Sequence, residues 1–393
     1  MKVFLLNDGR ATSNWGLQAS TQALLEIFNA RGLTVSTLTH SKLHSKYLWD
    51  FTVFNKKFFN ENSRFLSKFS PSNLNIPQTS DQYEVYTELW NTGQGGALSK
   101  EIINKIEEAD IVIFNAEGST YRKNFGALAG LFILNYAVQI YQKRALFANG
   151  SFTISSIDNI LTGIAKKLND NGVNFFVREP ISAECLYSIG IRSVVVPDSV
   201  FYYADSRLVV HNDVRKKKTF AISKSMLPMC NFGAVEDDPF YHLICEIMKT
   251  TGLNPVFFAK DPEDQMIRKY IKHIPDAQVG IFNSNDFKKV QSTISDSKFL
   301  LSGRYHHLIF AINTGTYICP LSSSSHKIEG LMKLIAPSPP ASCQCFDPTD
   351  IQANIKLITK NIDTQIHTQN TVPYISADSL RHQLIDSFTT ILQ

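Results

Sequence analysis

The chain has 393 residues, 44% of them hydrophobic and 19% charged, with 39 Lys and Arg against 35 Asp and Glu. That composition excludes a largely disordered polymer, and the length exceeds what a single core usually closes, so two domains are expected. The net charge of +4 is local: residues 41–70 hold Lys42, Lys46, Lys56, Lys57, Arg64 and Lys68 against Asp50 and Glu61, leaving 33 basic and 33 acidic side chains elsewhere. So balanced a remainder offers no extended phosphate-tracking surface, and nucleic acid is not an expected partner.

In chain order, Val3–Asn7 reads as a short buried strand, Leu17–Phe28 as a helix ending near Gly32, and Leu33–Leu38 as a second strand. The basic segment that follows is also aromatic, with Tyr47, Trp49, Phe51, Phe54, Phe58, Phe59, Phe65 and Phe69, and residues 70–82 read as loop. Order resumes with a polar helix at Lys100–Glu108 and a strand at Asp110–Phe114. An apolar helix from about Phe125, a strand at Ala145–Asn149 and a helix at Ile157–Leu168 come next. Strands at Asn174–Val177 and Ser193–Val196, with a helix at Ser182–Ser188 between them, close the first half. Continuous apolar strands separated by helices indicate a parallel sheet covered on both faces.

Around Ala204–Lys218 the chain turns polar and then basic, ending in Arg215-Lys216-Lys217-Lys218, which reads as a linker. A second α/β series follows. Its strands are expected at Thr219–Ser223, Pro255–Ala259, Ala277–Ile281, Phe299–Ser302 and Tyr317–Pro320, with helices near 238–250, 263–273, 286–295, 305–313 and 326–334. A last helix, Ala377–Leu392, is expected to pack back across the seam. The domain map is therefore 1–205 with a basic and aromatic insertion at 41–98, a linker at 206–218, a second domain at 219–375, and a C-terminal helix at 376–393. Two doubly wound Rossmann-like domains facing a central cleft place ligands at strand C-terminal ends.

The N-terminal apolar run is too short for a secretory leader, and Phe125–Tyr141 falls short of a membrane span, so a cytoplasmic location is expected. Six cysteines in so long a chain do not form a disulfide framework, and the close pair Cys343-Gln344-Cys345 lacks a second pair at zinc spacing, so no metal site is expected.

Four post-strand segments carry polar chemistry. After the first strand, Asn7-Asp8-Gly9-Arg10 leads to Ser13-Asn14-Trp15-Gly16, where Ser13 or Asn14 suits a helix N-cap. After strand 110–114 come Glu117, a candidate acid or base, then Gly118, which permits close backbone approach, and Ser119. Arg178 and Glu179 end a later strand, and Arg178 can clamp a carboxylate or phosphate, or pair locally with Glu179. The fullest set is Ser302-Gly303-Arg304-Tyr305-His306-His307. Here Arg304 and a helix start suit an anion, His306 suits proton transfer, and His307, turned about 100° away, is expected to be a packed or surface residue. Lys327, at the next helix start, is either a further positive charge or a solvent-facing side chain. Neither a Gly-x-Gly-x-x-Gly nor a Walker A sequence occurs.

The ordered set Asn14-Trp15-Gly16, Glu117-Gly118-Ser119, Arg178-Glu179-Pro180 with Ser182, Pro197-Asp198, Gly303-Arg304-x-His306 and Lys327 with Glu329-Gly330 resembles the polysaccharide pyruvyl transferase family over about residues 3–335. No one motif is specific; the order and spacing of the set carry the resemblance. It implies a GT-B-like architecture and transfer of pyruvate from phosphoenolpyruvate onto two sugar hydroxyls as a ketal, in exopolysaccharide or lipopolysaccharide synthesis.

On that resemblance His306 is the acid and Glu117 the base. Arg304, Arg178 and Lys327 hold the donor anion, with Gly303, Gly118 and Ser119 beside it, and Asn14, Trp15 and Arg10 lie on the acceptor side. No cofactor is implied, phosphoenolpyruvate being a substrate. The acceptor is a glycan or a lipid-linked oligosaccharide. Residues 41–70 either bring the protein to the inner face of a membrane or pack on their own domain. Many family members have a glycine triplet where this chain has Ala116-Glu117-Gly118, which changes the floor of the site. Two other readings share the scaffold: a GT-B glycosyltransferase holding a nucleotide-sugar diphosphate with Arg304 and Lys327, and a non-catalytic glycan-binding protein.

Overall fold

The structure, a computed structural model, describes residues 1–45, 76–93, 97–117, 124–153, 159–204, 217–223, 235–258, 270–274, 277–279, 286–336, 344–368 and 375–393. The chain forms two compact units. The first comprises Met1–Thr12, Ser20–Arg178 and Ser182–Val196; the second comprises Ser13–Ala19, Glu179–Ile181 and Pro197–Gln393. Residues 205–216, which make up most of the expected linker, lie outside the described residues.

The first unit is built on a six-stranded parallel sheet. Its elements are β1 (Lys2–Asp8), α1 (Trp15–Asn29), β2 (Thr34–Thr39), α2 (His40–Leu43), α3 (Tyr83–Asn91), α4 (Ala97–Glu108), β3 (Ile111–Asn115), α5 (Phe125–Tyr141), β4 (Arg144–Gly150), α6 (Asn159–Asp170), β5 (Asn174–Val177), α7 (Pro180–Ser188) and β6 (Val194–Val195), the first residues of α1, up to Ala19, and of α7, up to Ile181, falling in the second unit. The sheet order is β2-β1-β3-β4-β5-β6, with Val3 opposite both Val35 and Ile111. All five residues of β3 are buried, as expected of a strand covered on both faces. Asn124 caps α5 by accepting from Ala127 N at 2.9 Å, and the helix ends at Gln142, whose φ of 51° is left-handed. Nearly every residue of α5 from Gly126 to Ala137 is buried, so this apolar run is the floor of the core. Among the described residues no helix is long and apolar enough to cross a membrane.

Part of the expected insertion at 41–98 belongs to that core. Residues 46–75, with most of the basic and aromatic segment, lie outside the described residues. The described remainder includes α3, whose Tyr83, Tyr86 and Trp90 are buried edge-on around Phe132 of α5, Trp90 at a ring separation of 5.0 Å.

The second unit has a five-stranded parallel sheet. Its elements are β7 (Thr219–Ser223), α8 (Pro239–Thr251), β8 (Asn254–Phe258), β9 (Gln278–Val279), α9 (Phe287–Ser295), β10 (Phe299–Ser302), α10 (Tyr305–Asn313), β11 (Tyr317–Pro320), α11 (Lys327–Ile335), α12 (Ile351–Thr368) and α13 (Ala377–Leu392). The order β11-β10-β7-β8-β9 reads, from the far edge, as a Rossmann 3-2-1-4-5 arrangement. Sequence reading missed α12, which packs on α8 through Ile351, Ile358 and Ile362. The last helix, α13, buries Leu380, Leu384 and Phe388 and packs on the turn Ser199–Tyr203 of its own unit, with the Arg381 guanidinium 5.4 Å from the Tyr202 ring centre.

Candidate functional site

Parallel sheets offer ligand crevices outside the carboxyl ends of their strands, where the order of connection reverses. In the first unit that point lies between β1 and β3, and in the second between β10 and β7. Polar residues gather at both.

At the end of β1, Asp8 and Arg10 form a two-pronged pair, with Arg10 Nε 3.0 Å from Asp8 Oδ1 and Nη2 2.7 Å from Oδ2. Burial pushes the Asp8 carboxyl up, but hydrogen bonds and charge from Arg10 outweigh it and hold the group below the usual carboxylate range. Arg10, expected on the acceptor side, is thus already engaged, although its side chain remains largely exposed. Asn7 and Asn149, at the ends of β1 and β4, both have left-handed backbones, with φ of 70° and 60°. The Asn115 amide donates toward Ser20 and Thr21 and its carbonyl oxygen accepts from Asn149 Nδ2 at 3.1 Å, tying α1, β3 and β4 together.

Glu117 follows β3 and is buried. Its Oε1 lies 4.0 Å from Nη1 of Arg178, which is 1% exposed and donates through Nε to Ser151 Oγ at 2.9 Å. The expected base and one expected anion clamp therefore form a buried pair within the first unit. Gly118 and Ser119 lie outside the described residues.

Arg178 and Glu179 are chain neighbours that fall in different units. Glu179 is fully buried in the second unit, where Oε1 meets His326 Nε2 at 3.2 Å. The Glu179 carboxylate rests on Gly330, in the space a Cβ there would need.

At the second switch point Ser223 Oγ and Ser302 Oγ are 2.5 Å apart, and Ser302 Oγ accepts from Arg304 N at 2.9 Å. Gly303 is buried, and Arg304 is the half-buried N-cap residue of α10, with an extended backbone. His306 is buried and faces the fully buried Asp198, Nε2 to Oδ2 at 3.4 Å, while Asp198 Oδ1 accepts from Val200 N at 3.0 Å. The His306 ring stands on Gly16, filling the space of a Cβ. Of the two places expected for His307, packed or at the surface, it takes the first, against Trp15 at a ring separation of 5.4 Å and against Phe258 and Phe310.

Asn14 is the helix N-cap, its Oδ1 accepting from Gly16 N at 3.0 Å and Leu17 N at 3.2 Å. Asn14 and Trp15 were expected on the acceptor side; both belong to the second unit, where one caps and the other packs. Lys327 opens α11 and is half-buried. Among the described residues no group of three or more His, Cys, Asp or Glu is placed to hold a metal ion, and Cys185, Cys245, Cys319 and Cys345 are free thiols.

Sequence reading quoted Asp198 only within a motif, considered Glu179 only as a local partner of Arg178, and missed that these carboxylates face His306 and His326. It passed over His40, the first residue after β2, whose Nδ1 lies 2.7 Å from Asn7 Oδ1. Checking the residue after every strand, rather than after the most polar turns, finds it.

Among the solved structures similar to this chain are nucleotide-sugar enzymes. The UDP-GlcNAc 2-epimerase of Neisseria meningitidis, bound to UDP-GlcNAc, superposes with a TM-score of 0.56 at 11% identity, each chain covered in full. The UDP-GlcNAc 2-epimerase of Methanocaldococcus jannaschii gives 0.53 at 12% identity, covering 99% of this chain and 100% of that one. HepE of Anabaena, in complex with UDP and glucose, gives 0.54 at 11%, covering 99% and 100%. Identities this low show the fold alone, which is GT-B-type α/β. No curated protein matches the chain significantly. The polysaccharide pyruvyl transferase family model matches residues 18–325, a span that takes in Glu117, Arg178, Asp198, Arg304 and His306 and stops short of Asn14–Gly16 and Lys327. This chain, a transferase, belongs to the polysaccharide pyruvyl transferase family.

Proposed function

We propose that the protein transfers pyruvate from phosphoenolpyruvate to two hydroxyls of a saccharide, forming a ketal during synthesis of a surface polysaccharide. The observation that carries this reading is the Gly303-Arg304-x-His306 segment at the carboxyl end of β10, inside the family match and backed by Asp198. Phosphoenolpyruvate carries a carboxylate and a phosphate and needs at least two cationic anchors, for which Arg304 and Arg178 are the candidates and Lys327 a third. Ketal formation adds a proton to the methylene carbon, expels phosphate and removes one proton from each of two hydroxyls. His306 supplies the proton to carbon, and the Asp198 carboxylate, 3.4 Å from Nε2, faces the ring and favours its protonated form. Glu117 takes a hydroxyl proton. No metal is needed in this scheme. The acceptor is a glycan or lipid-linked oligosaccharide, and the reaction belongs to the cytoplasm, where residues 41–70 can meet an anionic membrane face.

A second reading rests on the fold neighbours that bind UDP or UDP-GlcNAc: a nucleotide-sugar donor held by Arg304 and Lys327. Thermal unfolding with each ligand separates the two. A ligand at a hundred times its Kd stabilises the folded state by about 2.7 kcal/mol. Phosphoenolpyruvate is expected to raise the Tm, and CMP, UDP and GDP are not; stabilisation by a nucleotide alone overturns the pyruvyl-transfer reading.

A further inference from the structure

The first unit holds a base that the scheme above does not use. Asn7 closes β1 with a left-handed backbone, a conformation that a non-glycine residue keeps where its surroundings fix it. Here the side chain is fixed at both ends. Its Nδ2 donates to the Asn115 backbone carbonyl at 2.7 Å. A carbonyl oxygen only accepts, so the amide cannot be flipped, and Oδ1 is the atom that meets His40 Nδ1 at 2.7 Å. Oδ1 also only accepts. The imidazole proton is therefore on Nδ1, and the neutral ring presents its lone pair at Nε2.

His40 is half-buried and begins α2 directly after β2, the edge strand next to β1. Its ring centre lies 4.0 Å from that of His44, whose own imidazole packs on Gly126 of α5. Burial pushes the His40 pKa below its ordinary value, and the negative charge of Glu117 partly opposes the shift. The titratable groups that act on it are His44 on its own helix and Glu117 after β3. Near neutral pH the ring is uncharged and basic.

We propose that His40 Nε2 is a general base for one of the two acceptor hydroxyls, with Asn7 as the residue that positions it. The inference rests on the pyruvyl-transfer reading, whose chemistry requires two hydroxyls to lose protons while a single base, Glu117, had been assigned. In the step His40 serves, the sugar O–H bond breaks and its oxygen bonds to C2 of the pyruvyl unit. The bond from C2 to the bridging phosphate oxygen breaks, its electron pair leaving with phosphate. The proton rests on Nε2 and then passes to the departing phosphate. The ligand class for this crevice is a saccharide with two neighbouring free hydroxyls.

The test uses the full chain, phosphoenolpyruvate and a panel of p-nitrophenyl hexopyranosides, with phosphate release followed from pH 5 to 9. General-base contributions run from about 100- to 10,000-fold. His40→Gln is expected to lower kcat at pH 7.5 by at least ~100-fold and to abolish the acidic limb of the wild-type profile, leaving the Tm rise with phosphoenolpyruvate intact. Long-range 15N–1H spectra of the wild type are expected to show His40 as the Nδ1–H tautomer. Wild-type turnover in His40→Gln, a fall in kcat with the acidic limb retained, or an Nε2–H tautomer overturns the assignment and leaves the pyruvyl-transfer reading standing. Absence of phosphate release by the wild type with every hexoside overturns both.

Discussion

Gly16 and Gly330 show how a single residue carries the site. Each lies in a short motif of the family resemblance, and each provides the seat for one half of a buried histidine–carboxylate pair: the His306 ring on Gly16, the Glu179 carboxylate on Gly330. Neither glycine has a left-handed backbone, so the requirement is space and not conformation. A methyl group at Gly16 must displace the His306 ring from Asp198. Overpacking of this kind costs about 1–3 kcal/mol of stability, whereas moving a reacting group by ~1 Å costs about 100-fold in rate. Gly16→Ala should therefore fold with a modestly lower Tm and lose about 100-fold in kcat. In a His306→Ala background the methyl has room, so adding Gly16→Ala should change neither quantity further. Equal additional loss in the double variant would place the effect elsewhere.

At the scale of elements, the strands and helices with continuous apolar runs or clear end signals were legible from sequence. The strand at Asn174–Val177 and the helices at Tyr305–Asn313 and Ala377–Leu392 were found at their observed limits. Two of the helices that were missed, α3 and α12, had a readable period hidden by composition. In α12 the isoleucines recur at 351, 355, 358, 362 and 366, a helical spacing, but β-branched residues and two asparagines disguise it. In α3 the spacing of Tyr83, Tyr86 and Trp90 is helical too, and was lost because the aromatic segment before it suggested one continuous insertion. The difference has an energetic consequence. Trp90 is buried, lies 5.0 Å from Phe132 and 4.9 Å from Tyr136 between ring centres, and belongs to the core of the first unit. Trp90→Ala is expected to destabilise that unit by about 3–5 kcal/mol, read as a fall in the denaturation midpoint. A change within ±0.5 kcal/mol, the range of an exposed side chain, would return α3 to the periphery.

For the whole molecule, the sequence supports a cut between two consecutive domains, and the packing does not follow the chain so simply. The second unit takes in Ser13–Ala19 and Glu179–Ile181 as well as everything from Pro197. No periodicity reveals this, because the deciding contacts join residues far apart in sequence: Trp15 with His307, Gly16 with His306, Glu179 with His326. A fragment starting at Pro197 would keep all three histidines and lose all three partners. It would open the cavity left by a buried tryptophan, a loss of about 3–5 kcal/mol by analogy with Trp→Ala, and remove the carboxylate that His326 faces. A unit stabilised by roughly 5–15 kcal/mol has little reserve for both losses. The fragment 197–393 is therefore expected to melt well below the full chain, or without a cooperative transition, by circular dichroism. If it melts cooperatively at the temperature of the full chain, the two early segments are accessory, and the seating of His306 on Gly16 contributes nothing to the stability of the unit.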